Sequence, residues 1–485
     1  MKGLGLKTSG LLFYAERIYS TVVGFLFILL VTRNLSPEEF GAWSVLSSIL
    51  TYACLATFTN YWVTRLRARG VVEATTSGLV LSLIFTLVGA GALLVLMDRI
   101  AIEFSVPASS LFIILFYVPV IYLNSTIYAS LYAVNPSRAA ISEFLFETGK
   151  IVVAGAFWLA GRITLNTALL AVLGGHISQF VYLFVSMRRD FSVRPRKEVV
   201  GKILSFSVFN VLTQPASLIA SLDVPLISYV IGNLAVAYYT VVNTFSNLVA
   251  YSYVLARGLL PTMLQTDEKH VHLRSIEESL RLVLLLGVPS LVGVLFLAPN
   301  LLYLFRPEYA VAGDVLRLAS FSALIGSISG ALGDALQGIE RADIEGKPLR
   351  EVARSRIFKV FMLGYLRLAV GFPILIGVVT AIRDPLRAAL FARGAWLMGD
   401  IAVLIVLAIW TRKLVDYRKM GAIVLKYLVG SLPAATVAWL INPLKIREAL
   451  LAVTLAGAIY FAIVYLLDSW FRRHFAMLLS RLKKG

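Results

Sequence analysis

Residues 76–97 read TSGLVLSLIFTLVGAGALLVLM, a run of 22 residues without a charged side chain. Glu73 and Asp98 lie just outside its two ends. A helix of about 20 apolar residues is long enough to cross the hydrocarbon core of a bilayer, which is about 30 Å thick. The stretch therefore predicts a transmembrane helix.

Similar stretches recur along the whole chain, of which 59% is apolar and only 15% charged. Soluble domains are about half apolar and a quarter charged. Charged and turn residues divide the sequence into predicted spans at residues 11–32, 40–63, 76–97, 107–133, 141–160, 164–187, 200–221, 223–249, 280–305, 313–339, 359–382, 388–411, 420–441 and 448–470. The sequence thus predicts an all-α polytopic membrane protein with about 14 transmembrane helices.

Basic residues are distributed unequally between the two predicted sides of the membrane. With a cytoplasmic amino terminus, the inner segments hold 31 Lys and Arg residues and the outer loops hold 8. This asymmetry predicts a multi-pass protein of the cytoplasmic (inner) cell membrane with both termini in the cytoplasm. It also accounts for the net charge of +18 without a nucleic-acid partner. We expect the basic loops 188–202, 257–281 and 340–359 to contact membrane lipids as interfacial helices.

Two segments match when the sequence is offset by 196 residues. Residues 35–45, LSPEEFGAWSV, align with residues 231–241, IGNLAVAYYTV. Both combine a short turn, a small residue and an aromatic residue two positions later, and they open predicted spans that are six spans apart. Parallel repeats of this kind build many transporters, with the substrate pathway between two similar lobes.

These segments resemble the polysaccharide flippases of the multidrug/oligosaccharidyl-lipid/polysaccharide exporter superfamily. The resemblance lies in the apolar run before Arg33, the turn from Leu35 to Gly41 and the aromatic Trp43. Ala237 stands where family members have glycine, and Leu260-Pro261 also fits the family pattern. The resemblance implies two pseudo-symmetric six-helix lobes, at 1–190 and 191–415, followed by two additional transmembrane helices and a cytoplasmic tail at 416–485.

The resemblance also implies a function. The chain would move a lipid-linked oligosaccharide, a sugar chain on a polyprenyl mono- or diphosphate, from the cytoplasmic to the outer leaflet by alternating access. Two alternatives stay open: a cation-coupled multidrug exporter of the same superfamily, and a membrane enzyme that acts on lipid-linked sugars. The outer loops are too short to build the site of such an enzyme, so we expect a transporter.

Ionisable residues within a membrane span are costly and tend to face a cavity. Four basic residues lie well inside predicted spans and are therefore candidate substrate-binding residues: Arg17, Lys150, Arg367 and Arg393. Arginine and lysine suit a diphosphate group, because arginine offers two parallel donors and lysine a compact charge. For Lys150 an ion pair with Glu147, three residues earlier, is an equally good interpretation.

Four acidic residues within the spans are candidates for coupling to H⁺ or Na⁺: Glu16, Asp223, Asp334 and Asp400. Asp223 has a structural alternative, because it could cap the helix that begins beside it, with Pro225 in the first turn. Asp400 lies two helical turns after Arg393, so the two residues can share a cavity without pairing. No phosphate-binding loop or metal-ligand spacing is found, and we expect no cofactor and no metal.

Overall fold

The structure is a computed structural model that describes residues 6–213, 215–256, 268–339 and 355–482. Within these ranges all regular elements are helices. The chain forms two compact units, Met1–Ala237 and Tyr238–Gly485. Much of the predicted interfacial segments 257–281 and 340–359 lies outside the described residues, as does Leu260-Pro261.

The helices of the first unit follow the chain as α1 (Leu6–Asn34), α2 (Pro37–Ala53), α3 (Asn60–Ala68), α4 (Glu73–Glu103), α5 (Ala108–Val134), α6 (Pro136–Leu159), α7 (Leu165–Met187), α8 (Lys197–Thr213), α9 (Pro215–Ala220), α10 (Asp223–Val230) and α11 (Asn233–Val241). Those of the second unit are α12 (Asn243–Ala250), α13 (Lys269–Tyr303), α14 (Gly313–Ile339), α15 (Arg356–Ala381), α16 (Pro385–Thr411), α17 (Tyr417–Ile441), α18 (Ile446–Leu467) and α19 (Ser469–Leu482). The unit boundary falls inside α11. Short 3₁₀ segments lie at Leu55–Thr59, Asp190–Ser192, Tyr251–Ala256 and Pro307–Ala312.

In the described part of the chain, nine helices are long and apolar enough to cross a membrane. A tenth span results if α2 and the helical residues 55–68 are counted together, although they are bent by 53°. These ten match ten of the predicted spans, and the chain is a multi-pass membrane protein. The predicted spans 11–32, 141–160, 200–221 and 223–249 are not among them, so the count of fourteen is not confirmed.

Charged residues within a helix, or breaks between helices, explain why three of these four predicted spans are not among the ten. Helix α6 has 24 residues, but Glu143, Glu147 and Lys150 fall within every 18-residue stretch of it. Residues 200–221 are divided between α8 and α9, and residues 223–249 among α10, α11 and α12. Gly232, with φ at +119°, separates α10 from α11. The remaining predicted span, 11–32, lies within α1, which forms one continuous helix of 29 residues.

The turn that suggested the resemblance begins α2. The Ser36 side chain accepts a hydrogen bond from the Glu39 backbone N–H at 3.2 Å, and Glu39 accepts one from the Ser36 N–H at 2.8 Å. This capping box, with Pro37 in the first turn, stabilises the start of the helix. Gly41 then lies directly against the backbone of Asn233 in α11, so that residues of the two repeated segments are in contact.

Replacing Gly41 with alanine is expected to destabilise the protein. A Cβ atom at this position would lie 1.9 Å from the Asn233 carbonyl oxygen, and backbone atoms cannot move aside as a flexible side chain can. Overpacking of this kind costs about 1–3 kcal/mol. Thermal unfolding in detergent measures the effect, with Gly24→Ala as the control because nothing lies within 4 Å of a Cβ there. Equal midpoints for the two variants would contradict the contact.

In the second unit, α13 packs against α14 and α17, while α16 packs against α14 and α15. Helix α18 packs on α17. Buried tyrosines join these helices: the Tyr460 hydroxyl donates to the Leu285 carbonyl oxygen at 2.6 Å, and the Tyr427 hydroxyl donates to Asp468 at 3.0 Å. The predicted thirteenth and fourteenth spans, which correspond to α17 and α18, are therefore integral to the core of this unit.

Candidate functional site

Lys150 lies on α6 in the first unit and is 8% exposed. Its Nζ atom is 2.6 Å from Oε2 of Glu147, one turn earlier on the same helix. At this distance the two opposite charges form an ion pair. The ammonium group also lies 5.2 Å from the ring centre of Phe27 and 5.0 Å from that of Phe146. Glu147 and the two aromatic faces together compensate the lysine charge inside the helix bundle.

A second cluster of polar side chains in the first unit contains the carboxylates of Glu16 and Glu143. Gln179 on α7 donates a hydrogen bond to Glu143 at 3.0 Å, and Glu143 is close enough to Glu16 for the two carboxylates to interact electrostatically. Glu16 accepts a hydrogen bond from Ser20 at 2.5 Å. Neither carboxylate has a basic partner among the described residues. Arg17, the next residue on α1, is exposed.

Arg367 on α15 forms an ion pair with Asp400 on α16, with a distance of 2.5 Å between Nε and Oδ1. The other carboxylate oxygen of Asp400 accepts a hydrogen bond from Ser322 on α14. The guanidinium lies 5.0 Å from the ring centre of Trp396. The arginine side chain is 41% exposed and the aspartate side chain 12%. Three helices therefore contribute to a pair whose acid is enclosed and whose base is half exposed.

Arg393 lies two turns before Asp400 on α16, and the two residues do not pair. Its guanidinium donates to the Tyr239 carbonyl oxygen through Nε at 3.2 Å and also through Nη2. It donates to the Asn243 side-chain oxygen at 2.5 Å, and it stacks on the Tyr239 ring with 3.8 Å to the ring centre. All these partners are neutral, and in the described part of the chain Arg393 has no acidic partner. No acid of the described residues therefore neutralises its positive charge.

Asp223 and Asp334 are the two remaining acidic candidates, one in each unit. Asp223 is the first residue of α10 and accepts a hydrogen bond from the Val224 N–H at 2.7 Å. The N-cap of this helix is Leu222, and no side chain makes a capping hydrogen bond, so Asp223 is not the cap that the structural alternative expected. Asp334 on α14 accepts a hydrogen bond from the Tyr253 hydroxyl at 2.6 Å. The described residues contain no group of three or more His, Cys, Asp or Glu side chains placed to hold a metal ion.

The neutral partners of these ions were missed in the sequence. Tyr239, Asn243 and Trp396 give no charge signal, and two of them are about 150 residues from the arginine they contact. For Trp396 the sequence does contain a signal. Arg393, Trp396 and Asp400 are spaced by three and four residues, which places all three on one face of a helix. Gln179, which contacts Glu143, had no comparable signal.

The fold is similar to those of several solved transporter structures. The lipid II flippase MurJ, in an inward closed conformation, has a TM-score of 0.69 at 12% identity and covers 94% of this chain and 98% of its own. An inward-facing multidrug resistance MATE family transporter of the MOP superfamily has a TM-score of 0.57 at 16% identity, covering 84% of this chain and 95% of its own.

A third similar structure is a MOP superfamily transporter from Pyrococcus furiosus, described as having a binding pocket of reversed polarity. Its TM-score is 0.51 at 17% identity, and the match covers 83% of this chain and 93% of the transporter. No protein-family model matches the chain, and no curated protein matches it significantly. At these identities the similarity concerns the fold alone: the chain is a helical membrane protein whose fold is similar to those of these flippase and exporter structures.

Proposed function

We propose that this chain is a flippase that moves a polyprenyl-(di)phosphate-linked oligosaccharide from the cytoplasmic to the outer leaflet by alternating access. The positive charge of Arg393 is the observation that carries this proposal. Its partners are a carbonyl oxygen, an amide oxygen and a ring, so none of them neutralises it. An anionic headgroup that leaves water needs a partner of this kind, because an uncompensated charge in a membrane span is costly.

Arg367 serves the same headgroup in this proposal, at a lower effective charge. Asp400 neutralises it in the absence of substrate, while its half-exposed guanidinium stays accessible on one side. When a phosphate takes over the guanidinium, the Asp400 carboxylate keeps only its hydrogen bond from Ser322, so this exchange requires Asp400 to take up a proton or Na⁺. Arg17 and Lys150 remain proposed substrate contacts of the first unit, and Glu16, Asp223, Asp334 and Asp400 remain proposed sites for H⁺ or Na⁺ coupling.

Similarity in fold supports a flippase and does not by itself separate it from an exporter. The match to the lipid II flippase covers 94% of this chain, and the match to the multidrug transporter covers 84%. A cation-coupled multidrug exporter is the second candidate, and the carboxylates of Glu16 and Glu143 favour it, since neither has a basic partner in the described residues. An acidic group attracts cationic drugs, whereas an uncompensated arginine attracts phosphate.

The direction in which a membrane potential acts distinguishes the two candidates. Moving one charge through 100 mV is worth about 2.3 kcal/mol, which corresponds to about fiftyfold in an equilibrium distribution. In proteoliposomes with a valinomycin potential, a polyprenyl-diphosphate-linked oligosaccharide should move toward the positive side. Access of its glycan to a membrane-impermeant oxidant measures this movement. Transport of a cationic dye by the protein, with no movement of the oligosaccharide lipid at either polarity, would establish the exporter instead.

A further inference from the structure

A cleft of about 1110 Å³ opens in the second unit, where α13, α17 and α19 meet the loop between α16 and α17. The helices around it end or begin there: α16 ends at Thr411, α17 begins at Tyr417 and α18 ends at Leu467. All three are candidate membrane-spanning helices. The common end of such helices lies at the boundary between hydrocarbon and water, so the cleft is at headgroup level. Loop charges predict that this is the cytoplasmic side.

Basic side chains outnumber acidic ones in this cleft. The acids are already engaged: Glu277 pairs with Arg281 at 2.9 Å and with Lys419 at 2.7 Å, and Glu278 pairs with Arg274 at 2.9 Å. Asp416 accepts hydrogen bonds from backbone N–H groups of the first turn of α17. No acid that lines the cleft is thus left to neutralise a further cation.

Four cations that line the cleft have no acidic partner among the described residues: Arg412, Lys413, Arg418 and Arg473. All four are exposed. They come from the α16–α17 loop, from α17 and from α19, so the fold brings them together from separate stretches of sequence. Like charges gathered around one cleft repel each other, and an anion bound between them removes that repulsion.

The surroundings of these cations are those of a lipid headgroup. Trp470 and Tyr417 also line the cleft, and Trp and Tyr are enriched at membrane–water interfaces. Helix α19, with the sequence SWFRRHFAMLLSRL, mixes basic with apolar residues in the pattern of an interfacial helix. Phe475 on this helix is 42% exposed. A soluble phosphate would make no use of these apolar groups, whereas a phospholipid would.

We propose that this cleft binds the headgroup of an anionic phospholipid, separately from any transported substrate. Arg412, Lys413, Arg418 and Arg473 hold its phosphate, and the acyl chains extend along the apolar surface beside α19. The cleft volume is sufficient for a phospholipid headgroup, since ligand sites measure about 300–1,000 Å³. Basic pockets at the cytoplasmic ends of membrane helices recognise such lipids by the same chemistry. Binding there does not require that the chain transports a glycolipid.

The test titrates phosphatidylglycerol, phosphatidylcholine and soluble glycerol phosphate into the full chain in a zwitterionic detergent, with binding followed by native mass spectrometry. Each neutralised side chain should weaken phosphatidylglycerol binding about fivefold, so Arg412→Gln, Lys413→Gln and Arg473→Gln together should lose roughly a hundredfold. The matched control removes three exposed basic residues from the predicted outer loops, Arg162→Gln, Arg387→Gln and Arg447→Gln, and should stay within about twofold of the original chain.

Selective loss in the cleft variant, with retention in the control and in Arg412→Lys with Arg473→Lys, supports the site. Equal loss in the control variant would overturn it, because binding would then follow net charge alone. Binding of glycerol phosphate as tight as that of phosphatidylglycerol would overturn the lipid as occupant. The three substituted residues are exposed, and an unchanged unfolding midpoint in detergent confirms that the cleft variant is folded.

Discussion

Arg393→Gln is expected to lower the rate of lipid-linked oligosaccharide movement in proteoliposomes by about 10- to 100-fold, the effect of losing a hydrogen bond to a charged group. Glutamine can still donate to the Tyr239 carbonyl oxygen, which Arg393 contacts through Nε and Nη2. Glutamine cannot, however, replace the positive charge of Arg393, which no acid of the described residues neutralises. Access of the glycan to a membrane-impermeant oxidant, at matched protein incorporation, measures the rate.

Two further variants separate charge from structure. Arg393→Lys keeps the charge and loses the planar fork, so it should retain an intermediate rate. Lys426→Gln removes an exposed charge from another spanning helix, α17, and should change the rate less than twofold. If Arg393→Gln moved the oligosaccharide at the original rate while its unfolding midpoint fell, the arginine would be a structural link to Tyr239 and Asn243 and not a substrate contact.

Most long helices could be predicted from the sequence because hydropathy averaged over about 20 residues reports membrane burial directly. Residues 76–97 fall within α4, and 388–411 within α16. The same average cannot locate breaks. Residues 223–249 contain one charged residue, Asp223, and are mostly apolar, yet they form three short helices. One break is fixed by the left-handed conformation of Gly232. The bend between α2 and residues 55–68 is likewise invisible to a mean value.

For the site, the sequence identified which residues carry charge but not how they pair. Glu147 and Lys150 could be recognised as partners because three residues bring them to one helix face. Arg367 and Asp400 are 33 residues apart on different helices, and the Arg393–Tyr239 contact spans 154 residues. Pairing between helices depends on their rotation and tilt, and these follow from packing that no local pattern encodes.

Lys150→Met is expected to destabilise the first unit strongly, by about 3–5 kcal/mol, because it leaves the Glu147 carboxylate buried without its partner. The side chains of Lys150 and Glu147 are 10% and 11% exposed, so water cannot replace the lost ion pair. Glu147→Leu should cost a similar amount, since it leaves the ammonium between two aromatic rings. Unfolding midpoints in detergent, read by the fluorescence of a thiol-independent dye, give the order of stability.

The double variant Glu147→Leu with Lys150→Met then decides what the pair is for. Replacing a buried ion pair by apolar residues of similar size is often neutral or stabilising, so most of the lost stability should return. If Lys150 contacts the substrate, this folded double variant will still fail to move the oligosaccharide lipid. If it transports at the original rate, the pair serves only to neutralise charge within α6, and substrate binding must rest on Arg17 and on the arginines of the second unit.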